Sequence, residues 1–421
     1  MMQSSLSPYR RIYWPVYIPI GYSPTLALGI MTNRIRILAV LAVASMTPSC
    51  GNISSQRHVN DPLADAAPPV HLPLELWGAE ILGQLHSTFY LPDSRLYGEE
   101  TKAGRQNKAF LWPSSVQLGA LIAAARVEPD MYLLPMKRYA TALRKYRTNY
   151  NNRWGMDVWP GPKPNDRYYD DNAWMLLVLL ELYEVSGEAE DLQWAKETYD
   201  FVMSGEDTNG GGGIYWHEEK RETKHACTVA PAIAGALRLY QLTGERPYLD
   251  TANRLYKWIN DKLQDRDGLY FDKIYMADGN IETTKWSYSS ALMIRANCLF
   301  WEVTREQKYL LEAQRIARAA ETHWVRTSDS LIADDSKFAH KLLEAFGRLS
   351  EYDHDPHWKE IVFRCCRSLY EKCRDLHGWY ESRWDQLNPR IVSPIRMIDQ
   401  ASAARAYWVA AELFRNDARL K

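Results

Sequence analysis

The chain has 421 residues, which is enough for one large domain or two smaller ones. Its 51 Lys and Arg residues nearly balance its 52 Asp and Glu residues, which argues against a nucleic acid or an anionic membrane surface as the main partner. We therefore expect a partner that is uncharged or recognised by local contacts. Aromatic residues make up 12% of the chain, and flat rings suit the apolar faces of sugars as well as ordinary protein cores.

The first 71 residues are predicted to lie outside the folded domain. Residues 1–30 carry four prolines and no helical or strand period, so we interpret them as an N-terminal extension before a start at Met31. The apolar run 37–46 is too short to span a bilayer, and with Cys50 it resembles a bacterial lipoprotein signal. Cys50 would then be lipidated, with residues 51–71 as a polar, Pro-rich tether. The expected location is outside the cytoplasm, on a bacterial membrane facing the periplasm or the cell surface. An ordinary secretory signal cleaved nearby is the alternative.

Residues 72–421 are predicted to form one all-α domain with no convincing strand. One kind of helical pattern, such as 171–186, is apolar almost all round, and the pattern that follows it, 189–204, has one charged face. The two kinds alternate, which predicts an inner ring of helices wrapped by an outer ring. The twelve patterns lie near 73–90, 114–127, 130–149, 171–186, 189–204, 227–242, 246–263, 287–303, 307–323, 336–351, 356–373 and 395–414.

A short connector between the two kinds of helix recurs about every 60 residues, the length of one helical hairpin with its return loop. It reads Val185-Ser-Gly-Glu188, Leu242-Thr-Gly-Glu245 and Val303-Thr-Arg-Glu306. Twelve helices make six hairpins, so the expected fold is an (α/α)6 barrel, and an open solenoid of helix pairs is the structural alternative. In such a barrel the inner helices run parallel, and the loops that precede them gather at one end.

Two adjacent carboxylates, Asp170 and Asp171, precede the most apolar helical pattern and are flanked by aromatic residues. One interpretation is a helix cap followed by a first-turn acid. The other is catalytic. Neighbouring carboxyls cannot both ionise easily, so we expect one pKa to be raised while the helix dipole lowers the other. Glycoside hydrolysis requires such a split, because it uses one ionised carboxylate and one protonated acid.

Several further motifs are collinear with the aspartate pair. They are YYDDNAW at 168–174, GGGIYW at 211–216, KHACTVAPA at 224–232, GLYFD at 268–272, KWSYSSALM at 285–293 and DQASAA at 399–404. At these residues the chain resembles glycoside hydrolase family 76, the endo-α-1,6-mannanases. The resemblance implies an (α/α)6 fold and a retaining double displacement, with Asp170 as nucleophile and Asp171 as general acid/base. It also implies an α-mannan polysaccharide or oligosaccharide as substrate, and neither a metal nor an organic cofactor.

Substrate-binding candidates come from the same loops. They are Trp112, Tyr169, Asn172, Trp216, Lys224, His225, Trp286 and Tyr288. The chain differs from the family where amide side chains are usual, with His225 after the lysine and Thr228-Val229 before Ala-Pro. A glycan-binding surface lipoprotein without turnover is therefore one alternative, and a toroid glycosidase with another α-linked substrate is a second. Unsaturated-uronide hydrolases and sugar epimerases also use helical toroids, but they have no obvious counterpart of the aspartate pair.

The six cysteines show neither a CxxC motif nor a Cys/His spacing typical of zinc sites. Five of them, from Cys227 to Cys373, fall within helical patterns. We expect these five to be buried free thiols rather than parts of a disulfide framework or a metal site.

Overall fold

The structure, a computed structural model, describes residues 73–101, 107–161, 166–391 and 394–419, with side chains up to 415. The predicted signal, the lipidated Cys50 and the tether lie outside these residues. No helix in the described part of the chain is both long and apolar enough to cross a membrane.

Twelve α-helices in the described residues form two concentric rings. Six inner helices contact one another in a closed cycle, and each also packs against one outer helix. The inner ring consists of α2 (Leu111–Val127), α4 (Tyr169–Ser186), α6 (Ala226–Thr243), α8 (Ser287–Thr304), α10 (Ser336–Asp353) and α12 (Met397–Arg419). The outer ring consists of α1 (Leu74–Phe89), α3 (Pro129–Leu143), α5 (Ala189–Met203), α7 (Arg246–Leu263), α9 (Gln307–Trp324) and α11 (Pro356–Lys372). The predicted (α/α)6 barrel is confirmed.

The two rings differ in burial as their sequences predict. In α4 every residue from Asn172 to Leu182 is buried, whereas α7 buries only one stripe of side chains. A helix that is apolar all round needs neighbours on every side, and only the inner ring supplies them. Because the inner helices run parallel, their first turns lie at the same end of the barrel. This is the end that carries Asp170 and Asp171.

The ring is closed by the first and last helices, because α1 packs against α12. Gly78 permits the close approach, since a Cβ atom there would lie 2.6 Å from the Trp408 indole. Trp77 stacks on Tyr370 with ring centroids 4.0 Å apart and meets Tyr407 edge-on at 5.5 Å. An outer helix from the start of the domain thus completes the hairpin of the last inner helix.

The recurring connector has a physical basis. At each copy a hydroxyl at the end of an inner helix accepts the backbone N–H two residues later, at 3.1–3.2 Å. The pairs are Ser186 with Glu188, Thr243 with Glu245 and Thr304 with Glu306. The residue between them is left-handed, a glycine in the first two copies and Arg305 in the third. This turn reverses the chain from the inner to the outer ring.

The expectation of no strands was wrong, because seven short strands lie in the described residues. They are β1 (Tyr90–Leu91), β2 (Leu96–Tyr97), β3 (Arg147–Tyr150), β4 (Arg153–Met156), β5 (Thr223–His225), β6 (Phe271–Tyr275) and β7 (Ile281–Lys285). Two antiparallel pairs and the three-stranded sheet β5-β6-β7 result. Most of these strands lie in loops that lead into inner helices, so they brace the end of the barrel that carries the aspartate pair.

A cavity of about 240 Å³ lies at the opposite end, between the later turns of the inner helices. Six cationic and six carboxylate side chains line it. The deepest of them form a network in which Arg405 binds both Glu181, at 2.9 Å, and Glu344, at 2.7 Å. Arg295 and Lys341 add a further contact each to the same two carboxylates. This network, the axial ion cluster, ties four inner helices together.

Candidate active site

The aspartate pair occupies the first turn of α4. The helix begins at Tyr169, and the preceding Tyr168 is the N-cap residue in an extended conformation. The expectation that one of the aspartates caps the helix was therefore wrong by two positions. Asp170 still accepts a first-turn backbone N–H, because its Oδ1 lies 2.9 Å from the nitrogen of Asp171.

The carboxylate of Asp170 is held from three directions. Besides the backbone N–H at Oδ1, its Oδ2 accepts the indole N–H of Trp216 at 2.7 Å and the thiol of Cys227 at 3.5 Å. No hydrogen bond to the carboxylate of Asp171 is found among the described residues. Asp170 is therefore fixed in orientation, while Asp171 is available to a group that approaches from solvent.

Burial raises the pKa of both carboxyl groups. The pKa of Asp170 rises to about 6, because burial outweighs the hydrogen bonds from Trp216, Asp171 and Cys227, which favour the ionised form. The pKa of Asp171 is raised well above its usual value by burial and, next, by the charge of Asp170. The expectation that the helix dipole lowers one pKa was wrong in direction. The split survives because only Asp170 has hydrogen-bond donors that favour its ionised form, so Asp171 holds a proton more readily than Asp170 does.

Trp216 connects the loop between α5 and α6 to the start of α4. Its backbone carbonyl accepts the N–H of Tyr169 at 2.8 Å, and its indole holds Asp170. The ring is 37% exposed, stacks on His225 at 5.2 Å and meets Tyr168 edge-on at 4.9 Å. Trp216 therefore presents an aromatic face to solvent directly beside the carboxylate that it orients.

His225 is buried behind Trp216 rather than placed in solvent. Its Nε2 lies 2.9 Å from the hydroxyl of Thr223, and burial together with the nearby Lys273 lowers its pKa to about 3. The imidazole is neutral at neutral pH, so it supports the Trp216 ring and supplies no charge to the site.

The glycine run before Trp216 packs against protein. Gly210 to Gly213 all have positive φ, and a Cβ atom at Gly213 would lie 2.5 Å from the Trp258 ring. Lys224, which is fully buried, donates to the carboxylate of Asp207 and to the carbonyls of Asn209 and Gly212, each at 2.7 Å. The glycines allow these positive φ angles, and the group that approaches their backbone is this internal lysine.

Three predicted substrate-binding side chains instead have positions inside the protein. Lys224 holds the glycine loop, and Tyr169, with no exposed surface, stacks on Phe201. Asn172 is also fully buried, and its amide exchanges hydrogen bonds with the backbone N–H and carbonyl of Met156. Lys224 and Asn172 use their polar groups in these contacts and all three side chains are buried, so the residues position the site and do not line it.

An aromatic wall lies at the same end of the barrel as the aspartate pair. It consists of Trp112, Trp174, Trp286, Tyr288 and Phe338, whose neighbouring rings lie 4.4–6.3 Å apart. Trp174 follows Asp170 by four residues and therefore shares its face of α4. Lys337 lies 5.1 Å from the Phe338 ring, and Lys341 lies 5.5 Å from the Trp174 ring.

Among the substrate-binding candidates from the sequence, Phe338 and Trp174 of this wall were missed, as were the two lysines beside it, Lys337 and Lys341. The available signal was position, since Phe338 lies in the first turn of an inner helix, as Asp170 does. In the second acidic pair, Asp335 is the N-cap residue of α10, without a side-chain cap hydrogen bond, and Asp334 accepts the N–H of Ser287 at the start of α8, at 2.9 Å. Asp399 pairs with Arg396 at 2.9 Å.

The five cysteines within the described residues are free and buried, as predicted. Among those same residues no group of three or more His, Cys, Asp or Glu side chains is arranged to hold a metal ion.

Comparison with known proteins identifies relatives of this fold. The sequence model of "Glycosyl hydrolase family 76" matches residues 78–351, which is more than half of the chain. A family 76 α-mannanase from Bacteroides thetaiotaomicron is 25% identical, with a TM-score of 0.79 over 83% of this chain and 98% of that one. A mannan endo-1,6-α-mannosidase from Candida glabrata is 25% identical over 165 residues. That match covers 36% of this chain and about a third of the relative, 33%.

A third relative has the same fold at lower identity. It is an inactive variant of an α-1,6-mannanase from Salegentibacter sp. HEL1_6 in which two consecutive aspartates are replaced by asparagine, in complex with α-1,6-mannotriose. It is 20% identical, with a TM-score of 0.70 over 81% of this chain and 99% of that chain.

Proposed function

Because this chain belongs to glycosyl hydrolase family 76 and is thus a glycosidase, we propose that it cleaves α-1,6-mannosidic linkages within α-mannan chains. The observation that carries the proposal is the unequal environment of two adjacent carboxyls. Donors favour the ionised form of Asp170, whereas Asp171 accepts no hydrogen bond among the described residues and has a pKa raised by burial and by the charge of Asp170. The relatives that resemble the chain act on the same class of glycan.

In the first step, the Asp170 carboxylate attacks the anomeric carbon of the mannosyl unit. The bond from that carbon to the glycosidic oxygen breaks, and Asp171 gives its proton to the departing oxygen. A covalent mannosyl ester with Asp170 results. Asp171, now ionised, removes a proton from a water molecule, which attacks the same carbon and releases Asp170. Two inversions give overall retention of the α configuration.

The sugar is proposed to lie between Trp216 and the aromatic wall. The exposed face of Trp216 offers a surface for the apolar side of a pyranose ring, beside the carboxylate that reacts. Trp112, Trp286 and Phe338 are partly buried in the wall and offer a second surface. Aromatic surfaces on more than one side of the pair would suit endo action, which requires binding of sugar units beyond the one that reacts.

The test is hydrolysis of debranched α-1,6-mannan by the full chain, with products separated by size. We expect a ladder of oligosaccharides early in the reaction and retained α configuration. Asp170→Asn should reduce activity by several orders of magnitude on any mannoside. Asp171→Asn should cause a severe loss of activity on mannan and a milder loss on an aryl mannoside with an activated leaving group. Added azide should restore turnover of this variant and give α-mannosyl azide as the product.

A matched control is Asp335→Asn, which alters another adjacent acidic pair at the same end of the barrel. Its carboxylate pairs with Lys337 at 3.1 Å and with Arg383 at 3.6 Å, so activity should stay near that of the wild type. Near-normal activity of both Asp170→Asn and Asp171→Asn would end the proposal. Retention of mannan without any release of sugar by the wild type would identify a glycan-binding protein instead.

We also propose that the protein is exported and anchored by a lipid on Cys50. The support is the sequence alone, an apolar run of lipoprotein type before Cys50 and a polar, Pro-rich tether at 51–71. Cys50→Ala should move the protein from the membrane fraction to the soluble fraction. Unchanged membrane association would contradict the anchor.

A further inference from the structure

Cys227 lies in the first turn of α6, where the inner helix next to α4 begins. Its thiol is 3.5 Å from Oδ2 of Asp170, the same oxygen that accepts the indole N–H of Trp216. The side chain is 6% exposed, so water does not compete freely for this contact. Two donors from different segments of the chain therefore converge on one carboxylate oxygen.

We propose that Cys227 is a positioning residue for the nucleophile, and that its thiol, donating to Oδ2 of Asp170, fixes the carboxylate for attack. The proposal rests on the proposed function, in which Asp170 is the attacking group. Trp216 belongs to a loop, whereas Cys227 belongs to a packed helix. A donor on a helix defines the direction of the carboxylate more firmly than a donor on a loop.

The state of the thiol suits this role. Burial and the nearby Asp170 charge raise the pKa of Cys227 well above its usual value, so the sulfur keeps its proton and acts as a donor. The same raised pKa makes the thiol a poor nucleophile, so it does not compete with Asp170 for the sugar. The Tyr288 hydroxyl lies beside the thiol and extends the contact to α8. Three consecutive inner helices, α4, α6 and α8, thus meet at the reacting carboxylate.

Other ionisable groups surround Asp170 and affect the pH at which it titrates. They are Asp171 on the same helix, Asp166 and Tyr168 before it, Asp272 on β6, and Cys227 and Tyr288 on the neighbouring inner helices. All of them except Cys227 itself remain in a Cys227 variant. A change in the titration of Asp170 in that variant therefore reports the loss of the thiol contact.

The experiment compares Cys227→Ala, which removes the donor, with Cys227→Ser, which replaces it by a stronger one of similar size. In Cys227→Ala the acidic limb of the kcat/KM profile should move up by roughly half a pH unit, since a donor that favours the ionised form is lost. Its kcat/KM at pH 7 should fall about five- to tenfold. Cys227→Ser should move the limb down and keep kcat/KM within about threefold of the wild type.

Cys298→Ala is the matched control. This thiol is also buried in an inner helix, α8, and forms no hydrogen bond to Asp170. The Cys298→Ala variant should have a lower thermal stability and an unchanged pH profile of kcat/KM. If Cys227→Ala behaves like Cys298→Ala, or if the serine variant shifts the limb in the same direction as the alanine variant, the positioning role is wrong.

A measurement without substrate separates this inference from the proposed function. Protein labelled with 13C at the aspartate carboxyls gives a resonance for Asp170, identified by its loss in Asp170→Asn. Its titration midpoint should be higher in Cys227→Ala than in the wild type even if no mannan is hydrolysed. An unchanged midpoint would overturn the role of Cys227, whatever the activity assay shows.

Discussion

Trp216 combines two roles, of which only one is visible in its sequence context. A tryptophan on a loop beside the motifs suggests a surface for sugar, and its exposed face agrees with that. The structure adds a hydrogen bond from the indole to Asp170 at 2.7 Å. A change at this residue therefore affects the chemistry of the nucleophile as well as the binding of substrate.

The variant Trp216→Phe separates the two roles, because phenylalanine keeps an aromatic face and lacks the N–H. We expect kcat to fall about tenfold, with a smaller change in KM. The acidic limb of the profile should move up, since the lost donor had favoured the ionised form of Asp170, whose pKa is about 6. Initial rates between pH 4 and pH 8 measure both effects.

Trp154→Phe is the control for that variant. Trp154 is 46% exposed on β4 and packs under the guanidinium of Arg147. Its replacement should leave the pH profile unchanged. If Trp216→Phe alters only KM, the indole N–H has no part in orienting Asp170.

The orientation of side chains at the start of α4 shows what the sequence could and could not predict. Adjacent aspartates before an apolar helix were recognisable from their chemistry. Tyr169 and Asn172 were also assigned to the substrate, but they lie on the opposite face of the helix turn. Helical spacing separates 169 and 172 from 170 and 174. Which face meets the substrate depends on the neighbouring helices, and these are brought together by tertiary packing.

At the scale of elements, the loops into the inner helices are more ordered than their sequences suggested. Strand β5 has three residues, and its partner β6 follows only after α6 and α7. A strand this short carries no periodic pattern, and a partner so distant in sequence leaves no local turn signal. The helical hairpins were predictable because their patterns are long and their connectors repeat.

Lys224 shows how such a loop is held, and its role can be tested directly. Lys224→Met removes three hydrogen bonds to the glycine loop and leaves Asp207 without its ion pair. We expect unfolding to be easier by roughly 3 kcal/mol, with a loss of kcat because Trp216 is no longer fixed. Thermal unfolding and steady-state kinetics measure the two effects.

Lys220→Met alters an exposed lysine in the same segment and should change neither quantity. A variant of Lys224 with normal thermal stability and a raised KM would instead indicate that the ammonium binds sugar.

At the scale of the whole molecule, the alternation of buried and striped helices was sufficient to predict both rings. The axial ion cluster was not predicted, although it leaves a trace in the sequence. Glu181 is the one charged residue in the stretch 173–183 and Arg405 the one in 400–411, and a charge in such a largely apolar stretch requires a buried partner. The sequence does not show which partner, because the two residues are more than two hundred positions apart.

Because of the axial ion cluster, we expect the free energy of unfolding to fall as the pH becomes acidic. Burial alone would raise the pKa of Glu181, but the charges of Arg405 and Arg295 outweigh it and lower the value to about 2. The pKa of Glu344 is also lowered well below its usual range, since Arg405 and Lys341 outweigh burial. A carboxyl whose pKa is depressed in the folded state stabilises the fold above its unfolded pKa of about 4.3. That contribution should be lost as the pH falls from there towards 2.

Glu344→Gln tests this dependence. At pH 7 it should destabilise the protein by about 3–5 kcal/mol, because Arg405 is left with an incomplete partner set in a buried place. The difference from the wild type should shrink at pH 3, where the wild-type network is itself weakened. Melting temperatures at the two pH values give the comparison. Asp261→Asn, which breaks an exposed pair with Lys257, should cost under about 0.5 kcal/mol at either pH. If the stability difference between Glu344→Gln and the wild type were the same at pH 7 and pH 3, the lowered pKa of Glu344 would be contradicted.

The pairing of α1 with α12 makes the barrel cyclic in space although the chain is linear. Five inner helices pass directly to an outer helix at the end away from the aspartate pair, and the sixth partnership joins the last helix to the first. The start of α1 and the end of α12 therefore lie where a sixth connector would be. Topologically, the natural chain is one of six circular permutants of the same ring. Joining α12 to α1 by a short linker and opening the chain at Gly187 or Gly244 would keep every helix neighbour and every loop around Asp170.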